Sequence, residues 1–154
     1  MDFVVRKAEQ KDLDGPNGLA ALRKSIATEL SGERGGLLFL ADRGARTAES
    51  LLVPSPDTLC EIAEFEGAVL GWSFIGVRLL TDGQSVATIE ELAVDPEARE
   101  VGAGEALLES ALAWCREKGC TGADSFALPG ARETKNFFET FGLKARLLTV
   151  HIDL

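Results

Sequence analysis

The chain has 154 residues, 45% of them hydrophobic, enough to close one core and too few for two. Sixteen basic against twenty-five acidic residues give a formal net charge of -9, and without any Lys/Arg-rich tract this balance disfavours nucleic acid and anionic membrane surfaces as partners. No apolar run approaches the roughly 20 residues of a membrane span, and the opening MDFVVRKAEQKD lacks the apolar stretch of a secretory signal, so a cytoplasmic protein of one domain, residues 1–154, is expected.

In chain order, Phe3 to Arg6 reads as a short strand. Gly15, Pro16 and Gly18 then punctuate the chain before Leu19 to Leu30, where Leu19, Leu22, Ile26 and Leu30 recur at helical spacing. The interval Ser31 to Pro56 is harder to read: GGLLFLAD fits a strand or a helix, and PSPD is a clear break. Leu59 to Phe65 alternates as a strand, Glu66-Gly67 suits a hairpin turn, Val69 to Leu79 is the returning strand, and Ser85 to Val94 follows the loop TDGQ. A helix from Ala103 to Lys118 carries Leu107, Leu108, Ala111, Leu112 and Cys115 on one stripe and stops at Gly119. Ala123 to Leu128 is a strand, Arg132 to Thr140 a short helix, and Ala145 to Ile152 a last strand with Leu147 or Leu148 directed inward. Alternation of strands and helices in the second half indicates a mixed α/β sheet.

Gly102 and Gly104 flank Ala103 just before the apolar helix. Glycines permit positive φ and close ligand approach, so successive amides there can form an anion-binding concavity, to which Arg99 adds a charge. The same residues also suit a tight loop with a glycine cap and a solvent-facing arginine.

The context of these glycines resembles a known family. LAVDPEAREVGAGEALL is similar to motif A of the GNAT N-acetyltransferases, Arg/Gln-x-x-Gly-x-Gly/Ala, with Arg99, Gly102 and Gly104 in the three positions; VRKAEQKD resembles the family's first strand and helix entry, and FFETFGLKARLLTVHI its last helix and strands. The resemblance implies the acyl-CoA N-acyltransferase fold: a mixed, mostly antiparallel central sheet flanked by helices. It implies acetyl-CoA, or another short acyl-CoA, as cosubstrate, with Leu92, Ala93 and Val94 beside the pantetheine arm and Phe137 and Phe138 packed near it. Arg99, Glu100, Val101, Gly102, Ala103 and Gly104 would surround the pyrophosphate, and the Val94 N–H would polarise the thioester carbonyl. Glu100, with Glu105 nearby, departs from the usual charge of this loop and would weaken anion binding if it pointed inward.

Acyl transfer to an amine needs a close, neutral nucleophile and a proton acceptor. Glu90 is the preferred base and Glu91 the alternative; a regular strand sends them to opposite faces, leaving one in the cleft. A buried Glu90 would have a raised pKa suited to this role, while either glutamate could instead be a solvated residue or the partner of an arginine. Many relatives carry a general-acid tyrosine in FYxxxGF; here FFETFGL puts Phe138 at that position, and the chain has no tyrosine. Water would then protonate the leaving thiolate. Cys60, Cys115 and Cys120 show neither a disulfide framework nor a metal-ligand pattern, so no metal is expected, and His151, the sole histidine, reads as a partly exposed strand residue.

The function expected from these residues is acetyl-CoA-dependent N-acetylation, transferring the acyl group directly to a small-molecule amine or a protein amino group that enters beside the N-terminal helices and Ser31 to Pro56. The alternative is a noncatalytic acyl-CoA-binding or regulatory domain. A homodimer is compatible with the resemblance; nucleic acid and membrane are not expected partners.

Overall fold

The computed structural model describes residues 2–43 and 46–154; Met1, Gly44 and Ala45 lie outside them. Glu66 and Gly67 reverse the chain at φ 49° and 83°, the doubly left-handed geometry whose twist matches the flanking strands of a tight hairpin. This turn pairs β2 (Thr58–Phe65) with β3 (Ala68–Leu79). β1 (Val4–Lys7) adds antiparallel to β2, and β4 (Ser85–Val94) antiparallel to β3. The chain then crosses over through α3 (Ala103–Glu117) to β5 (Gly122–Asp124), which lies parallel to β4. Strand order is β1-β2-β3-β4-β5, a mostly antiparallel mixed sheet.

Both faces of the sheet are covered. α1 (Leu19–Ser31) presents Leu19, Leu22 and Ile26 to Cys60, Ile62, Val69 and Trp72 on one face. On the other, Leu108, Ala111 and Cys115 of α3 meet Ile75, Ala87 and Ile89, joined by Phe138 of α4 (Arg132–Thr140). Each Leu, Ile, Val or Phe side chain removed from water in this way contributes roughly 1.5–3 kcal/mol. Arg6 closes the first turn of the chain with a two-pronged pair to buried Asp12, at 2.8 Å and 2.7 Å, and Asp12 also accepts from the Glu9 N–H.

GGLLFLAD, open between strand and helix in the sequence, forms a helix, α2 (Gly36–Arg43). Two later intervals differ from the sequence expectation. The strand expected over Ala123 to Leu128 pairs only through Asp124, and the last strand expected over Ala145 to Ile152 does not form. Leu147 and Leu148 are exposed rather than inward, as are Val150 and Ile152. Arg146 ties the start of this segment to Asp124, at 2.8 Å and 2.6 Å, but beyond it the β-prone alternation meets no sheet edge. His151 is exposed there and contacts Asp153.

Candidate functional site

β4 and β5 pair only from Val86 to Thr88 against Gly122 to Asp124. The Ser125 hydroxyl donates to the Ile89 carbonyl at 3.0 Å, and past this bond the two segments part. Glu90 to Val94 line one side of the opening and Ser125 to Leu128 the other, in a cleft of ≈ 1170 Å³ that runs from α1 and α2 to the start of α3. An extended ligand can lie against this unpaired strand edge.

The glycine loop closes one end. Gly102 takes φ 87° as the residue before α3, a conformation that costs a side-chain-bearing residue roughly 1–2 kcal/mol. The first amides of a helix have no acceptor within it, so those of Ala103, Gly104 and Glu105 are available to an anion, aided by the helix dipole. A Cβ on Gly104 would lie 3.4 Å from Phe137 Cε1 and 3.5 Å from Val94 Cγ2, so the bare glycine keeps the cleft wall open there. These features fit a diphosphate-bearing ligand. Glu100 is exposed and does not line the cleft, Val101 is half-buried, and Ala103 is buried beneath the loop. Arg99 donates through Nε to the Val94 carbonyl at 3.3 Å, and its Nη2 reaches Glu29 of α1.

At the other end the sequence expectation needs a correction. Phe74 pairs with Glu91 and Ile75 with Ile89, so Glu90 is an extra residue in β4, a β-bulge. Ile89 and Leu92 pack toward α3 while Ala93 packs toward α1. The extra residue resets the alternation, so Glu90 and Glu91 fall on the same side and both line the cleft. They differ in partners. Glu91 accepts from Arg23 Nε and Nη2 at 2.8 Å and 2.9 Å and from Trp72 Nε1 at 2.8 Å, which commits both oxygens. Glu90 uses Oε2 alone, toward Arg43 at 3.1 Å and Arg46 at 3.4 Å; Oε1 has no partner among the described residues. With its side chain 24% exposed, Glu90 is not the fully buried base considered above.

Phe137 and Phe138 also border the cleft, their ring centroids 5.5 Å apart. Phe138 is 8% exposed and part of the core, so the position expected for a proton donor holds hydrocarbon. Cys60 and Cys115 are not activated nucleophiles either: burial pushes the Cys60 thiol up to about 12 and the Cys115 thiol up to about 11.

Sequence reasoning passed over Arg23, Arg43, Arg46, Trp72 and Glu29. Arg23 had a signal, since it follows Leu22 on the edge of the apolar stripe of α1, where a polar side chain reaches the rim of whatever the helix covers. Arg43 and Arg46 had none, because their approach to Glu90 spans more than forty residues.

A family model described as the acetyltransferase (GNAT) family matches residues 23–143. The chain is 34% identical over 86 residues to the aminoglycoside N(6')-acetyltransferase type 1 of Klebsiella aerogenes, a match covering 54% of this chain and 51% of that protein. The match thus spans about half the length of that curated relative. Among solved structures, glucosamine-6-phosphate N-acetyltransferase from Arabidopsis thaliana superposes with a TM-score of 0.73 at 19% identity over 99% of both chains. An aminoglycoside acetyltransferase from an uncultured soil metagenomic sample, in complex with sisomicin, superposes with a TM-score of 0.65 at 18% identity over 99% of this chain and 95% of that one. At such identities these structures share the fold.

Proposed function

The chain belongs to the acetyltransferase (GNAT) family, and from that membership we propose that it is an N-acetyltransferase that uses acetyl-CoA and delivers the acyl group directly to an amine. One observation carries the reading: a single cleft joins the free amides at the start of α3 to the half-free carboxylate of Glu90. Bound acetyl-CoA would supply an acyl group activated as a thioester. The amides of Ala103, Gly104 and Glu105, with Arg99, would hold its diphosphate, and the edge of β4 from Leu92 to Val94 would lie along the pantetheine arm. The Val94 N–H is the proposed donor to the carbonyl oxygen, where an oriented amide stabilises developing negative charge.

The acceptor amine would enter between α1, α2 and the Glu90 side of the cleft. Glu90 Oε1 would take its proton, because that oxygen alone of the four on Glu90 and Glu91 makes no contact among the described residues. Glu91 would instead position Arg23 and Trp72. The leaving thiolate, with an ordinary thiol pKa of about 8.5, can be protonated by water. Arrangement of the reactants supplies much of the rate.

A noncatalytic acyl-CoA-binding role is the second reading, favoured by Phe138 standing where relatives carry an acid. The two are separated by mixing protein, acetyl-CoA and an amine panel and measuring free thiol: amine-dependent release supports transfer, and saturable binding without release supports the second reading. The three cysteines are free, which agrees with a cytoplasmic setting. No helix among the described residues is long and apolar enough to cross a membrane.

A further inference from the structure

At the acceptor end of the cleft the guanidiniums outnumber the carboxylates they touch. Three half-buried guanidiniums, Arg23, Arg43 and Arg46, with side chains 20–28% exposed, face two carboxylates, Glu90 and Glu91. Arg23 is matched by Glu91 in a two-pronged pair. Arg43 and Arg46 are left to share one oxygen, Glu90 Oε2, at 3.1 Å and 3.4 Å, and the next contact of Arg46, to Glu91, is 4.0 Å. Arg43 Nε is buried without an acceptor among the described residues. Asp42 and Glu49 border this end but pair with neither guanidinium among the described residues.

Besides the single oxygen of Glu90, the two guanidiniums are held in place by aromatic faces. Arg43 lies 3.6 Å from the Phe126 ring centroid and 5.9 Å from that of Phe39, and Arg46 lies 5.3 Å from that of Phe74. Stacking fixes a guanidinium while leaving its N–H donors for a carboxylate or phosphate, which accepts two of them in parallel. Of the carboxylates at this end, Glu90 and Glu91 already hold arginines and Asp42 and Glu49 do not, so a polycation is the competing acceptor class that the test includes.

We propose that Arg43 and Arg46 form an anion seat, and that the preferred acceptor is an amine carrying a carboxylate or phosphate group. This rests on the transferase reading above and names its substrate class. The anionic group accepts from the guanidinium donors that Glu90 Oε2 leaves unused, and its attachment to Arg43 and Arg46 brings the amine to the free Oε1.

The test is acetyl transfer to matched pairs, O-phosphoethanolamine against ethanolamine and phenylalanine against phenethylamine, with spermidine as a polycation. The anionic member of at least one pair is expected to have kcat/KM at least about tenfold higher, the lower end of what a charge-assisted hydrogen bond contributes; which pair responds tells phosphate from carboxylate. Arg46→Met and Arg43→Met should bring that ratio toward one, and Arg46→Lys, which keeps the charge, should retain part of it. Comparing the two amines within one variant cancels any change at Glu90. Ratios near one in wild type, a preference for spermidine, ratios unmoved by the variants, or no transfer to any of these amines by protein that binds acetyl-CoA would each overturn the proposal. Failure to bind acetyl-CoA would instead overturn the transferase reading beneath it.

Discussion

Arg99 is paired with Glu29 across the mouth of the cleft, its Nη2 at 2.8 Å and 3.1 Å from the two carboxylate oxygens. The pair links α1 to the loop that precedes α3, and a phosphate bound at that loop competes with Glu29 for the same guanidinium. Removing the competitor should therefore help the ligand. Because both side chains are about 40% exposed, the pair is worth at most about 1 kcal/mol. Glu29→Gln is expected to tighten acetyl-CoA binding by about two- to fivefold and Arg99→Ala to weaken it, both by calorimetry. Weaker binding by Glu29→Gln would show that the pair supports the site instead of competing with it.

Glu90 and Glu91 should separate chemistry from structure. Glu90→Gln is expected to lower kcat by about a hundredfold, the lower range for a general base, with the smaller loss of thermal stability. Glu91→Ala removes three hydrogen bonds on Arg23 and Trp72 and should cost about 1.5–3 kcal/mol of stability, with a change in tryptophan fluorescence. Full activity in Glu90→Gln together with an inactive but stable Glu91→Ala would reverse the two roles.

The bulge explains why the placement of Glu90 and Glu91 on one side of the strand was not legible from the sequence. Alternation assumes one residue per cross-strand pair, and nothing in TIEELAV announces that Glu90 lacks a partner. The local features were legible: Glu66-Gly67 as a hairpin turn, Gly102 as a left-handed residue before a helix, and the apolar stripe of α3, each depending on near neighbours. The segment after Arg146 was misread for the opposite reason. Leu148, Val150 and Ile152 have the period of a strand, but strand formation needs an edge to pair with, and that information is not in the segment.

Phe138 offers a gain-of-function test. Since it lines the cleft at the position where the family resemblance leads one to expect a tyrosine, Phe138→Tyr is expected to raise kcat and to add a basic limb to its pH profile near about 10, the ordinary phenol pKa. Phe138→Ala should instead cost about 3–5 kcal/mol, as a large buried ring is lost. An unchanged kcat and pH profile in Phe138→Tyr would mean that water protonates the thiolate as fast as the reaction requires.

Asp12 predicts a pH dependence of stability. Hydrogen bonds from the Arg6 guanidinium, with help from the Glu9 N–H and against the opposing effect of burial, hold its carboxyl below the usual aspartate range. A folded-state pKa below the unfolded value of about 3.9 contributes stability that is complete above that value and is lost as pH falls through the folded pKa. Asp12→Asn should therefore destabilise the protein by about 1.5–3 kcal/mol at pH 7. The gap in Tm between wild type and variant should hold down to about pH 5 and close below about pH 4. A gap that widens in acid would contradict this assignment.

The most direct test of the whole account is a calorimetric titration of acetyl-CoA into wild type and into Gly104→Val, with the variant's fold checked by circular dichroism. Valine at this position would add bulk beside Phe137 and Val94. The account predicts saturable binding to wild type and binding at least about tenfold weaker in the folded variant, the loss expected when side-chain bulk blocks helix amides from a charged ligand. No binding to folded wild type, or equal binding by the variant, would contradict the claim that the loop before α3 holds the cosubstrate.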